Sequence, residues 1–223
     1  MKKIVILIIM VFLITGCRAK YNIVINEDLS VVEEAKLTGT TDFFANYYKT
    51  TKTNVLKSFI DIYKETLDEN NYQYELIEDD TPYVVLKRKY NDVDEYINNS
   101  KLFNNYFDEI KYTTDGNIKR IETVGYYGNE TDNPERFDVK SLEITINCPY
   151  KVINHNAKSY DKQTNTFHYE LNDTSNKIIF EYDSSVKFNP NEGLITKLIM
   201  CAVVLIVIWI VVIYLNKKNN KKK

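Results

Sequence analysis

The amino-acid sequence predicts an α+β fold: a mostly antiparallel sheet packed with one or two helical segments, followed by a C-terminal transmembrane helix. Three observations carry the prediction. Apolar and polar residues alternate through a series of short runs bounded by turn-forming residues, the period of half-buried strands. Within residues 40–68 and 92–107 the apolar spacing changes to three and four, the period of an amphipathic helix. Residues 198–215, LIMCAVVLIVIWIVVIYL, contain no charge, and as helix they measure about 27 Å, enough to cross a bilayer core.

Tyr21 to Asn26 alternates around Tyr21, Ile23 and Ile25. Glu27-Asp28 then turns the chain into Leu29 to Leu37, where Val31, Glu33, Ala35 and Leu37 share a face, so the two runs read as an antiparallel hairpin. Val55, Leu56, Phe59, Ile60, Tyr63 and Leu67 recur at helical spacing, with Thr53 or Asn54 as N-cap. Phe43, Phe44, Tyr47 and Tyr48 suit a shorter helix before it. One sheet face is expected to receive the helix of Val55 to Leu67, and that packing to supply the core. Tyr72 to Ile77 and Tyr83 to Lys89 are strand-like around the turn-forming Glu78 to Pro82. Asp92 to Phe107 is helical, with Val93, Tyr96, Ile97, Phe103 and Phe107 facing the core. Asp115-Gly116 joins Ile110–Thr114 to Ile118–Tyr126, a strong hairpin signal. Val139 to Cys148 alternates through Leu142, Ile144 and Ile146 and is ended by Pro149. Phe167, Tyr169 and Leu171 mark another strand, and Ile178 to Tyr182 the last.

The two ends give the address. Lys2 and Lys3 precede an unbroken apolar run, Ile4 to Leu13, of the length of an export-signal core and too short to span a bilayer. Leu13-Ile14-Thr15-Gly16-Cys17 resembles the bacterial lipobox, an aliphatic residue and small residues before a cysteine. The resemblance implies cleavage between Gly16 and Cys17 and a diacylglyceryl group on the Cys17 thiol; the plain alternatives are an ordinary signal peptide or an uncleaved anchor. Beyond the apolar run of 198–215, Lys217, Lys218, Lys221, Lys222 and Lys223 face Lys197 alone on the other side, which places the C-terminus in the cytoplasm. The expected organisation is a signal peptide (1–16), an extracytoplasmic domain (17–183), a linker (184–197), a transmembrane helix (198–215) and a basic cytoplasmic tail (216–223).

Setting aside Lys2, Lys3 and the five tail lysines leaves 22 basic against 31 acidic residues outside, a net of −9. Such a surface repels anionic lipid headgroups, which makes them an awkward ligand, and nucleic acid, which is excluded as a partner. With Cys17 acylated and Cys201 in the span, Cys148 has no partner for a disulfide and is expected to be a small buried residue.

Two segments together resemble the LppM-domain lipoproteins of Gram-positive bacteria. Gly16-Cys17 followed by Tyr21-Asn22-Ile23-Val24-Ile25-Asn26-Glu27-Asp28-Leu29-Ser30 is similar to that family's cysteine, short spacer, strand and NxDGS-type turn, with Leu29 in place of the glycine. Pro149 to Leu171 carries Val152, Asn156-Ala157 and Asn165-Thr166-Phe167, with Tyr169 where relatives tend to have tryptophan. Residues 40–138 share hardly any of it. The resemblance implies an extracytoplasmic α+β domain without established catalysis, with lipid binding proposed for some members.

Chemistry-bearing motifs are sparse. His155, placed in a turn region, and His168, opposite Phe167 and Tyr169 in an alternating strand, read as surface residues. There is no HExxH, GxSxG or CxxC. Glu130, Asp132 and Glu135 gather oxygen ligands in one loop and are weak candidates for calcium, without the spacing of an EF-hand; no metal or catalytic residue is expected. Asp92, Asp94 and Glu95 suit a helix start. The function expected is that of a non-enzymatic, membrane-anchored lipoprotein binding a membrane-near ligand, apolar or lipid, or an envelope protein, its only cofactor the covalent diacylglycerol of Cys17. The alternatives are a carboxylate-based enzyme acting on envelope glycan or lipid, and a structural or signalling membrane link.

Overall fold

The computed structural model describes residues 18–37, 49–80, 82–126, 141–173, 175–192 and 199–209. The chain divides into a body that ends at Phe188 and a separate segment from Asn189 onward. In the body the strands are β1 (Arg18–Ile25), β2 (Val31–Leu37), β3 (Gln73–Ile77), β4 (Tyr83–Tyr90), β5 (Phe107–Asp115), β6 (Ile118–Tyr126), β7 (Ser141–Asn147), β8 (Tyr150–His155), β9 (Ser159–Asp161), β10 (Thr166–Leu171) and β11 (Ile179–Lys187). The helices are α1 (Lys52–Glu69), α2 (Val93–Asn99) and α3 (Lys101–Asn104).

These strands build two sheets where the sequence led us to expect one. Sheet A runs β3-β4-β2-β1-β7-β10-β9, and sheet B runs β5-β6-β11-β8. Every pairing is antiparallel except that of β1 with β7, which is parallel and sets Arg18 against Ser141 and Ile23 against Ile146. The inner face of sheet A carries Tyr21, Ile23, Ile25, Val31, Ala35, Leu86, Ile144 and Phe167, all buried. Sheet B covers the β7–β10 side of that face: Phe167 meets Phe180 edge-on at 5.3 Å between ring centroids, and Tyr169 Oη donates to Ile179 O at 3.1 Å. The short helices cover the other side, with Phe103 stacked on Tyr21 at 5.8 Å. Each such apolar side chain removed from water contributes about 1.5–3 kcal/mol.

The core therefore lies mainly between the sheets, which corrects the expectation that the long helix supplies it. Along α1 only Leu56 and Leu67 are fully buried; Ile60 and Tyr63 are partly covered, and the helix lies against β3 and β4 at the side of the body. Its N-cap is Thr51, whose Oγ1 accepts from Asn54 N at 3.2 Å, two residues before the earlier of the two expected caps. The segment of Phe43 to Tyr48 lies outside the described residues. The second helical stretch is cut at Ser100, which closes α2 and caps α3 through Phe103 N at 2.9 Å. Two further corrections concern the C-terminal half: His155 ends β8 instead of lying in a turn, and β11 continues to Lys187, into the stretch read as linker.

The β1–β2 turn keeps the geometry that glycine would serve. Asn26 N donates to Ser30 O at 2.8 Å, Leu29 N donates to Asn26 O at 2.9 Å, and Asp28 Oδ1 accepts from both the backbone and the hydroxyl of Ser30. Leu29 closes it with φ at +64°, a left-handed conformation costly for a side chain with a Cβ. Since Leu29 also packs partly on the core, two substitutions separate strain from packing: Leu29→Gly is expected to be more stable than Leu29→Ala by about 1 kcal/mol, the reverse of the usual order. Urea denaturation of both variants checks this, and equal midpoints would mean the turn bears no strain.

A second left-handed residue, Asn165 at φ +52°, works as a clamp. Its buried amide donates to Cys148 O at 2.6 Å and Tyr150 O at 2.8 Å, the two carbonyls flanking Pro149, while Oδ1 accepts from Tyr160 Oη at 2.9 Å. One side chain thus fixes the corner where β7 of sheet A passes into β8 of sheet B.

In the separate segment, residues 199–209 are helical and their side chains exposed, Met200, Leu205 and Trp209 among them. Among the described residues no helix is long and apolar enough to cross a membrane; the rest of the apolar run of 198–215 lies outside them.

Candidate functional site

Among the described residues, the largest cluster of interacting polar side chains in the core is built around one acid on an apolar face. By the alternation of β2, Glu33 points inward between Val31 and Ala35, and it is fully buried. Four hydroxyls donate to its carboxyl oxygens. Tyr21 of β1 and Ser100, at 2.7 Å, bond Oε1; Tyr90 of β4 and Tyr72, at 3.2 Å, bond Oε2. A fifth hydroxyl, Tyr96 Oη of α2, lies 3.1 Å from Tyr21 Oη. Arg88, directly opposite Glu33 in the β2–β4 register, does not bond the carboxyl; its guanidinium sits 4.4 Å from the Tyr90 ring centroid and donates to Asn99 O at 3.3 Å.

Burial holds the phenols of this cluster in their neutral form. It is the largest cause for Tyr21, Tyr72, Tyr90, Tyr96 and Tyr106, all displaced upward from their ordinary value near 10, and the charge of Glu33 adds to each shift. Both carboxyl oxygens are thus saturated by donors that stay protonated. The arrangement can tie β1, β2, β4, α2 and the α2–α3 junction together; it leaves no oxygen open to a metal or a substrate.

Among the described residues, those singled out from the sequence are not brought together. His168 is exposed on the outer face of β10; His155 is exposed as well, with its ring edge-on to Phe167 at 4.7 Å, where partial burial lowers its pKa. Cys148 is buried, and desolvation pushes its thiol up to about 12, which removes nucleophilic character. Asp92 caps α2 by accepting from Glu95 N at 2.7 Å, and Glu95 Oε2 accepts from Asn91 N, the residue before the cap, at 2.7 Å. No group of three or more metal-ligating side chains is assembled among the described residues. Gly16, Cys17, Glu130, Asp132, Glu135 and the tail lysines lie outside them.

No protein-family model matches the chain, and no curated protein does. Among solved structures it is similar to the folded domain of Mycobacterium tuberculosis LppM, determined by nuclear magnetic resonance, with a TM-score of 0.47 and 12% sequence identity, covering 78% of this chain and 91% of that one. The likeness is one of backbone path alone.

Sequence reasoning placed Glu33 on the face of Val31 and Ala35 without drawing the consequence. An acid at a core position of a clean alternation is the signal that a partner set must be found elsewhere in the chain.

Proposed function

We propose that the chain is a membrane-anchored extracytoplasmic lipoprotein of non-enzymatic type, whose body serves as a binding or accessory module at the membrane surface. One observation carries the reading: β1 begins at Arg18, one residue after the lipobox cysteine, and the body is followed in sequence by a helix of exposed apolar side chains at 199–209. Hydrophobic tethers bracket it on both sides. Cleavage after Gly16 leaves Cys17 as the acylated N-terminus, the run of 198–215 crosses the bilayer, and the tail lysines stay in the cytoplasm. The saturated carboxyl cluster and the separated histidines support a role without covalent catalysis. The ligand is membrane-near, a lipid or an envelope protein.

Fatty-acid labelling tests the anchor. The wild-type chain is expected to carry label and Cys17→Ala to lose it entirely; label that persists on Cys17→Ala removes the assignment.

A further inference from the structure

The two places where the chain leaves the body lie at opposite ends of its strands. β1 begins at Arg18, beside Cys17, whereas Phe188 N donates to Pro149 O at 2.9 Å and Lys187 Nζ reaches Glu27 at 2.5 Å in the turn beyond the far end of β1. The register of β1 with β7 puts Asn147 beside Val24, so Pro149 belongs to that far end as well. Between the two exits the strands rise roughly 26–30 Å. The link from Phe188 to the apolar run is short: Glu192 N donates to Asn189 O at 3.0 Å, a turn whose ends stand less than about 7 Å apart. Six further residues bring the covalent limit to about 32 Å. A body standing upright on Cys17 would use nearly all of that limit, while a body lying down needs little of it.

A body on its side presents a sheet face to the bilayer, and charge selects which. Alternation puts Lys20, Lys36, Lys87 and Lys89 with Glu34 on the outer face of β1, β2 and β4, four positive charges against one. Glu143, paired with Lys20 at 3.3 Å, and Glu75 flank this patch. Val24, Val32 and Val85 lie between the lysines, and Lys36 Nζ sits 3.4 Å above the Tyr83 ring, an aromatic and a cation side by side as at membrane interfaces. The outer face of sheet B is balanced instead, Arg120 lying between Glu122 and Glu181 and Lys177 on Glu122.

We infer that the body lies on its side, with the outer face of sheet A over β1, β2 and β4 seated on anionic lipid headgroups. The inference rests on the anchoring proposed above and adds the docking face and its lipid class. The net −9 of the extracytoplasmic part does not oppose it, because the acids lie mainly elsewhere.

Spin labels on the full, acylated chain in phosphatidylcholine–phosphatidylglycerol vesicles test it. Glu34→Cys reports on the outer face of sheet A and Thr113→Cys on that of sheet B, each in a Cys201→Ala background; Cys148 is buried and does not label. Collisions with a water-soluble nickel chelate are expected to be several-fold fewer at position 34 than at 113. Replacing Lys20, Lys36, Lys87 and Lys89 by Gln is expected to abolish the contrast with circular dichroism unchanged. Equal collision rates in a chain that still floats with the vesicles overturn the docked face and leave the anchoring intact; a contrast that survives the Gln substitutions overturns the assignment to headgroup charge. A chain that does not float overturns the anchoring and this inference together.

Discussion

Glu33→Ala is expected to destabilise the body by about 4–5 kcal/mol, a large part of the 5–15 kcal/mol that holds a domain of this kind together. The substitution removes the acceptor of four hydroxyl donors at once and leaves them in a fully buried site. Each orphaned donor costs about 1–3 kcal/mol, partly relieved where Tyr72 and Tyr90, 3.3 Å apart, can bond one another. Glu33→Gln is milder, about 2 kcal/mol, because the amide keeps one accepting oxygen and only one side must reorganise. Urea denaturation followed by circular dichroism measures both. A cost below about 1 kcal/mol for Glu33→Ala would mean that the cluster is incidental to the fold.

The same cluster makes the body sensitive to alkali. Tyr21, Tyr96 and Tyr106 are fully buried, and desolvation keeps their phenols protonated well above pH 10. Below pH 10 folded and unfolded chains carry the same phenolic protons, and stability is complete. As pH rises above 10 the unfolded chain releases protons that the folded one retains, so stability falls by about 1.4 kcal/mol per pH unit for each such tyrosine. Three of them give about 4 kcal/mol per unit, and Tyr72 and Tyr90, shifted the same way, steepen the loss. The expected result is a cooperative unfolding within about two pH units above 10, seen together in tyrosinate absorbance and circular dichroism. Gradual ionisation near pH 10 with the strand signal intact would contradict the buried network.

Where structure is local, the sequence disclosed it. The β1–β2 hairpin, the hairpin of β5 and β6 around Gly116, and the alternation of β7 and β10 follow from period and turn chemistry within a dozen residues. What stayed hidden depends on distance along the chain: the parallel seating of β1 on β7, and with it the division into two sheets, leaves no periodic mark. β8 escaped notice because its burial fades along the strand instead of alternating, and β9 is only three residues long. Glu33 was in plain view, but its partners come from four separate stretches of chain, so the donors could not be paired with the acceptor by reading along it.

The β1–β7 pairing also sets a timetable for biogenesis. In the proposed export, β1 is the first of the described strands to leave the channel, yet it is an interior strand whose second neighbour arrives only when Ser141 to Asn147 have followed. Through most of translocation the nascent chain exposes one flank of β1 as an unzipped edge, and closure is slow because the contact is so non-local. That delay suits the proposed modification, because residue 17 adjoins Arg18, whose pairing with Ser141 waits for β7.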